Sequence, residues 1–216
     1  MPTSSLEIRW APGRRVGATF RVPPEVSGHA VLLAHGAGAG RRHAFMERLA
    51  RRLASAGHPT LTFDYPFVAE GRRAPDRRAT LLACHRAAAG WLGGRAGRIV
   101  LAGKSMGGRM ASHLAAEHPD PAYSALLCFG YPLLPPGTAE PRPTGHLWGI
   151  GLPALFVSGS RDRLAPLPLL EQLVGSLPGA ALAVVEGADH GFGRNGGMAD
   201  AAADRAIRWL AGLTGS

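Results

Sequence analysis

Residues 97–110 read GRIVLAGKSMGGRM, an apolar run followed by a glycine, a lysine, a serine and two more glycines. Two kinds of site use sequences of this type. A phosphate-binding loop ends in Gly-Lys-Ser or Gly-Lys-Thr, whereas a nucleophile turn has the pattern G-x-S-x-G, here Gly103 to Gly107. The role of Ser105 therefore depends on the residues around it.

The phosphate-loop interpretation fails on spacing. It requires a glycine five positions before Gly103, with the intervening residues curled round the phosphates. Arg98 occupies that position, and Gly97 is one residue too early. The intervening IVLA is typical of a buried strand, and a strand cannot also form the cradle. The nucleophile turn has no such conflict, because it needs a strand before the serine and a helix after it.

The motif alone is weak evidence, because 30 of the 216 residues are glycine and the pattern arises readily by chance. The remaining chain supplies the context. Apolar runs and helical spacing predict an antiparallel strand pair at 6–10 and 16–22, strands at 30–36, 59–66, 98–103, 124–130, 153–159 and 180–187, and helices at 43–57, 75–93, 106–119, 166–176 and 198–213. This alternation predicts one α/β domain over residues 1–216, with a mainly parallel sheet of about seven to eight strands and helices on both faces.

Parallel sheets bind ligands at the carboxyl ends of their strands. Asp162 comes three residues after the predicted strand at 153–159, and His190 comes three residues after the one at 180–187. A serine hydroxyl becomes a nucleophile when a histidine, oriented by a carboxylate, takes its proton. The sequence therefore predicts a catalytic triad of Ser105, Asp162 and His190.

An oxyanion hole needs two backbone N–H donors. Met106, the residue after the serine, is predicted to supply one. The other is expected from the loop HGAGAG after the strand at 30–36, with Ala37 as first choice and Gly38 as second. A flexible glycine-rich connection is the alternative for this loop.

These motifs together resemble the α/β-hydrolases. The stretches similar to a small dienelactone-hydrolase-like group, which includes testis-expressed-30-like proteins, are LLAHGAGAG (32–40), FDYPF (63–67), GKSMGGRMAS (103–112), SGSRD (158–162) and GADHGF (187–192). The resemblance implies the α/β-hydrolase fold. Dienelactone hydrolases use a cysteine where this chain has Ser105, so their substrate is not implied. Relatives with a cap insert it after the strand at 124–130. Here only residues 132–152 intervene, which predicts no cap domain.

The expected substrate is a small ester or thioester with a short or medium acyl group. Aromatic residues near the strand ends are predicted to wall its pocket: Tyr65, Phe67, Tyr131 and Trp148. Arg41 and Arg42 follow the oxyanion loop and suit either an acidic substrate group or a solvated helix start, of which the second is favoured.

Other candidates receive structural interpretations. Asp189 adjoins His190, but neighbouring side chains rarely face each other, so Asp162 is preferred as the orienting acid. Lys104 beside the serine lacks the S-x-x-K spacing of serine–lysine pairs. Asp64 is expected to be structural. Among the histidines, His35 is expected to brace the oxyanion loop and His85 and His113 to lie on helix surfaces.

Composition excludes several function classes. The net charge of +9 comes from scattered arginine pairs without interleaved aromatics, which argues against nucleic-acid binding. No apolar run reaches about 18 residues, so no membrane association is expected. Cys84 and Cys128 are expected to be buried thiols of a cytoplasmic protein. No cluster has metal-ligand spacing, so neither a metal nor a cofactor is predicted.

The sequence thus predicts a serine hydrolase of the carboxylesterase type, acting through an acyl-enzyme on Ser105. The alternative is a hydrolase-fold protein that serves as a non-catalytic interaction module, since fold does not imply function. The oligomeric state stays open.

Overall fold

The computed structural model describes residues 2–26, 28–193 and 196–213. Within these residues eight strands form one sheet: β1 Thr3–Ala11, β2 Arg14–Arg21, β3 Ala30–Ala34, β4 Thr60–Phe63, β5 Ile99–Lys104, β6 Tyr123–Phe129, β7 Ala154–Gly159 and β8 Ala180–Val185. The helices are α1 Ala44–Ser55, α2 Pro66–Ala69, α3 Arg78–Gly93, α4 Met106–Glu117, α5 Leu167–Gly175 and α6 Gly197–Leu213, with a 3-10 helix at Gly145–Gly149.

The strand order is β1-β2-β4-β3-β5-β6-β7-β8. β1 and β2 pair antiparallel, and β2 joins β4 antiparallel. The six strands from β4 to β8 in this order run parallel. The prediction of a mainly parallel sheet of seven to eight strands is confirmed. β5 lies between β3 and β6, so the residue after it is presented near the middle of the sheet.

Both faces of the central strands are buried because each alternate side chain meets a different helical layer. Leu32 and Leu101 pack into the cluster that includes α3, α4 and α5. Leu33 and Ala102, one residue along, pack with α1 and α6 on the opposite face. The predicted helices on both faces are therefore confirmed.

Two local details differ from the sequence expectation. β3 ends at Ala34 rather than at residue 36, so His35 and Gly36 already belong to the loop. β4 ends at Phe63, and Pro66 starts the short helix α2, which the sequence did not predict. Proline suits the first position of a helix because that residue's N–H has no intrahelical partner.

The β6–β7 connection contains, within the described residues, only the five-residue 3-10 helix. The chain therefore has no cap domain there, as predicted. Of the described helices, none combines the length and apolar character needed to cross a bilayer.

Burial confirms one sequence expectation and corrects another. Cys84 and Cys128 are buried free thiols, as predicted. His85 and His113, expected on helix surfaces, are buried. The His85 ring lies against Phe63, and its Nδ1 lies 3.0 Å from the Tyr65 hydroxyl. Burial lowers the pKa of His85 to about 3, so this ring is neutral.

Candidate active site

Ser105 occupies a sharp turn between β5 and α4. Its backbone has φ 53° and ψ −116°, a region that L-residues rarely adopt. The Ser105 N–H donates to the Phe129 carbonyl at 2.9 Å, and the Ser105 carbonyl accepts from the Arg109 N–H at 3.1 Å. These bonds hold a conformation whose strain is of the order of 1–3 kcal/mol. Strain of this kind is typical of a nucleophile elbow.

Glycines make the turn possible. A β-carbon at Gly103 would overlap the backbone of Gly107 and Gly108, and one at Gly107 would overlap the Ala34 carbonyl. The G-x-S-x-G pattern is thus required by the close approach of β5, α4 and the end of β3.

The side chains of Ser105, Asp162 and His190 meet at the carboxyl edge of the sheet. His190 Nε2 lies 2.9 Å from Ser105 Oγ. His190 Nδ1 lies 2.8 Å from Asp162 Oδ2 and 3.0 Å from Oδ1. A carboxylate is an acceptor only, so Nδ1 carries the ring proton and Nε2 is free to accept the serine proton.

The Asp162 carboxylate is held in place by contacts other than the one with His190. Its side chain is fully buried, and Oδ1 accepts from the N–H groups of Leu164 and Ala165 at 2.9 and 3.2 Å. Gly130, with φ 56°, lies directly against the pair. A β-carbon there would be 3.2 Å from Asp162 Oδ2 and 3.3 Å from His190 Nδ1.

Asp189 and Lys104 are the sequence neighbours of His190 and Ser105, and their side chains make different contacts. Asp189 Oδ1 accepts from the N–H groups of Gly191 and Gly193, at 2.9 and 3.2 Å, and so shapes the loop. Lys104 is 9% exposed, and its Nζ lies 5.5 Å from the centre of the Phe192 ring. Burial lowers the pKa of Lys104 to about 8, although the charges of Asp162 and Asp189 oppose this.

The oxyanion candidates lie beside the serine. Ala37, Gly38 and Met106 line the same cavity as Ser105. Within the described residues, the amides of Ala37 and Met106 form no hydrogen bond with the protein. They are therefore available to a ligand.

His35 braces this loop, as expected. Its Nδ1 donates to the Gly36 carbonyl at 2.8 Å, while Nε2 accepts from the Tyr65 N–H at 2.9 Å. This pattern needs a neutral ring, and burial lowers the pKa of His35 accordingly. Gly36 lies beside Ser105, and a β-carbon at residue 36 would be in ordinary van der Waals contact with Ser105 Cβ, at 3.5 Å.

A cavity of about 650 Å³ opens over Ser105 and His190. Its walls come from α1, α3, α4 and the connections that follow β6 and β7. The apolar lining consists mainly of Phe45, Met46, Leu81, Met106, Met110, Pro132, Leu134, Pro136 and Leu164. Three arginines also line it: Arg78, Arg109 and Arg142.

Residues 27–211 match the model of the alpha/beta hydrolase domain family. The chain belongs to this family. The α/β hydrolase resembles an alpha-beta serine hydrolase homologue from Coxiella burnetii, with 20% identity, coverage of 97% of this chain and 98% of the other, and a TM-score of 0.78.

Two further solved structures share the fold of this α/β hydrolase. Dienelactone hydrolase from Anabaena variabilis has 23% identity, coverage of 97% and 96%, and a TM-score of 0.78. Est1E from Butyrivibrio proteoclasticus has 15% identity, coverage of 98% and 99%, and a TM-score of 0.80. The resemblance to dienelactone hydrolases noted in the sequence therefore extends to the whole fold.

The four aromatic residues predicted to wall the pocket do not line this cavity, and that expectation was wrong. Tyr65, Phe67 and Tyr131 are at most 1% exposed. They pack into the core, where the Tyr65 hydroxyl lies 3.0 Å from His85 Nδ1 and the Tyr131 hydroxyl lies 3.3 Å from Ser112 Oγ. Trp148 is 52% exposed and lies with Leu169 in a separate shallow recess.

The predicted arginine pair also lies outside the cavity. The Arg41 guanidinium forms an ion pair with Asp64, and the Arg41 backbone N–H donates to the same carboxylate at 2.8 Å. Asp64 is structural, as expected. Arg42 is exposed, in line with a solvated helix start.

Sequence reasoning missed the arginines that do line the α/β hydrolase cavity. Arg109 lies four residues after Ser105, so helical spacing gave a usable signal that it shares the serine's side of α4. Arg142 lies in an irregular connection with no pattern to reveal it. Within the described residues, no group of three or more histidine, cysteine and carboxylate side chains is placed to hold a metal ion.

Proposed function

We propose that this α/β hydrolase cleaves small carboxylic esters or thioesters through an acyl-enzyme on Ser105. The observation that carries the proposal is the chain of contacts from Ser105 Oγ to His190 Nε2 at 2.9 Å and from His190 Nδ1 to Asp162 at 2.8 Å. A serine hydroxyl aligned in this way is activated as a nucleophile.

In the first half of the reaction, His190 Nε2 takes the hydroxyl proton as Ser105 Oγ attacks the substrate carbonyl carbon. Asp162 stabilises the imidazolium through its bond to Nδ1. The tetrahedral intermediate collapses as His190 returns the proton to the leaving alcohol or thiol, and an acyl-enzyme remains.

In the second half, His190 takes a proton from water, and the resulting hydroxide attacks the acyl carbon. Collapse breaks the bond to Oγ, the proton returns to Ser105, and a carboxylic acid leaves. The overall change is ester plus water to acid plus alcohol. Ser105 and His190 return to their starting states, so the reaction needs no other reactant.

The Met106 amide and the Ala37 amide, or that of Gly38, would hold the oxyanion in both intermediates. Their availability supports this role, because an oxyanion donor must have no competing acceptor. Loss of one such donor commonly lowers turnover about 10²- to 10³-fold.

The first test is intact-mass spectrometry after treatment with a neutral fluorophosphonate. We expect one adduct on the wild type and none on Ser105→Ala. Asp162→Asn should label and turn over roughly 10⁴-fold more slowly, since the histidine loses its oriented tautomer. Full reactivity of either variant would contradict the proposed triad.

An interaction module is the second candidate, and one observation favours it. Trp148 and Leu169 are both exposed and share a recess outside the cavity. A wild type that stays folded but neither labels with fluorophosphonate nor hydrolyses any ester would favour this candidate.

We also propose a reducing, cytoplasmic setting without nucleic-acid binding. The two buried free thiols support the first part. For the second, several arginines are already engaged in ion pairs: Arg14, Arg21, Arg41, Arg48, Arg52 and Arg72. Salt-dependent retardation of duplex DNA by the purified protein would contradict it.

A further inference from the structure

Two arginines in the cavity lack a counter-charge. Arg109 projects from α4, and Arg142 lies in the β6–β7 connection. Across the described residues, neither forms an ion pair with a carboxylate. Arg109 Nη1 and Arg142 Nε are buried and have no hydrogen-bond acceptor. A buried guanidinium N–H without an acceptor is unfavourable, because it has lost water and gained nothing in return.

The Arg109 guanidinium contacts the chain segment that carries Arg142, and both side chains line the same cavity. Arg109 Nη2 donates to the carbonyl of Pro143, the residue after Arg142, at 3.3 Å. The backbone N–H of Arg142 donates to the Leu133 carbonyl at 2.7 Å. The Arg109 guanidinium also lies 5.5 Å from the centre of the Tyr131 ring. Burial, and after it the charge of Arg109, lower the pKa of Arg142.

Two other charged residues of the cavity wall are compensated within the protein. Arg78 pairs with Glu117 at 3.2 Å. Asp76 pairs with Arg72 at 2.6 Å and accepts from the Phe67 N–H at 2.9 Å. Of the three arginines that line the cavity, Arg109 and Arg142 are therefore the two without a carboxylate partner.

Paired guanidinium groups on the wall of an apolar cavity suit an anion with two or three acceptor oxygens. We propose that Arg109 and Arg142 form an anion-binding subsite, so that the ester or thioester cleaved at Ser105 carries a carboxylate or phosphate group away from the scissile bond. This inference rests on the proposed function. The apolar wall around Met110 and Leu134 would contact the hydrocarbon between the two ends.

The test compares kcat/KM for substrates of equal chain length. These are the p-nitrophenyl monoester of adipic acid, p-nitrophenyl hexanoate and p-nitrophenyl 5-phosphonopentanoate. Active sites are counted with the neutral fluorophosphonate. We expect the wild type to prefer an anionic ester to hexanoate by roughly ten- to a hundredfold, the effect of hydrogen bonds to a charged group. The larger of the two anionic preferences identifies the carboxylate or the phosphate.

Arg109→Gln and Arg142→Gln should each bring this ratio towards one. Arg51→Gln removes the same charge from an exposed position on α1 and should leave the ratio as in the wild type. Because the readout is a ratio within one variant, partial loss of folded protein does not affect it.

Three outcomes overturn the inference while the proposed function stands: Ser105 labels but the wild type shows no anionic preference, the preference survives both cavity substitutions, or Arg51→Gln reduces it equally. Absence of both labelling and hydrolysis would instead remove the proposed function, and the substrate inference with it.

Discussion

Gly159, the last residue of β7, lies so close to the carbonyl group of Ala188 that a β-carbon at residue 159 would overlap it. The same carbonyl accepts from the Arg161 N–H at 2.9 Å. The loop that carries Asp162 and the loop that carries His190 are therefore held together by a contact separate from the one between their side chains.

Gly159→Ala should separate these two loops. We expect the rate of fluorophosphonate labelling at Ser105 to fall at least tenfold, because displacement of catalytic groups by about 1 Å can cost about 10²-fold. The measurement is the time course of adduct formation. Gly151→Ala is the control, since a β-carbon there meets nothing within 4 Å. An unchanged rate in Gly159→Ala would show that the loops adjust without loss of alignment.

The strained backbone at Ser105 predicts an unusual order of stability. Glycine adopts φ 53° and ψ −116° without a β-carbon clash, whereas alanine does not. We expect Ser105→Gly to have a free energy of unfolding about 1 kcal/mol higher than Ser105→Ala. Urea denaturation measures the difference. At Ser176, where φ is −90°, the alanine variant should be at least as stable as the glycine variant. The same order at both sites would argue against strain at Ser105.

Buried histidines should make the protein sensitive to mild acid. Burial lowers the pKa of each of these six residues: His29, His35, His58, His85, His113 and His146. Below about pH 6.5 the unfolded chain takes up protons that the folded chain does not. The free energy of unfolding therefore decreases as the pH falls, for His146 down to about 4 and for His85 down to about 3.

His85→Leu isolates one of these contributions. Between pH 7 and pH 5, the free energy of unfolding should decrease less in this variant than in the wild type. The two decreases should differ by more than about 1 kcal/mol. Phe63→Leu removes packing beside the same ring without removing a titrating group, and should keep the wild-type slope. Equal slopes for His85→Leu and the wild type would show that His85 does not drive the effect.

Lys104 should give a pH dependence of the same sign in a higher pH window. Its pKa is lowered from 10.5 to about 8, so between these values the unfolded chain binds more protons than the folded one. Wild-type stability should rise with pH across this window. We expect Lys104→Met to be more stable than the wild type at pH 7, on the order of 1–3 kcal/mol, and the difference to shrink as the pH approaches 10. A difference that does not change with pH would assign it to packing alone.

Sequence patterns predicted that Ser105, Asp162 and His190 would meet, because each lies within five residues of the end of an apolar strand. The pattern around Ser105 also required a strand and a helix with glycines between them, which is a local property. The cavity wall was not predictable in the same way. Arg142, Pro132 and Leu134 lie in a connection with no periodicity, and only tertiary packing brings them over the serine.

The aromatic residues show the limit of reasoning from position. Tyr65 lies just after a strand end, as a pocket residue would, yet its hydroxyl binds His85 and its ring is fully buried. The sequence separation of 20 residues gives no sign of that partner. The burial of His113 also depends on a residue distant in the chain, because its ring stacks on that of His146 in the β6–β7 connection.

Ser105 and His190 are 85 residues apart in the chain. At roughly 5 to 20 residues per second, a ribosome completes His190 some 4 to 17 s after Ser105. During that interval Ser105 lacks the imidazole that lies 2.9 Å from its Oγ in the folded protein. On the proposed mechanism, activity toward esters would therefore appear only when the edge strand β8 and the loop after it have joined the sheet.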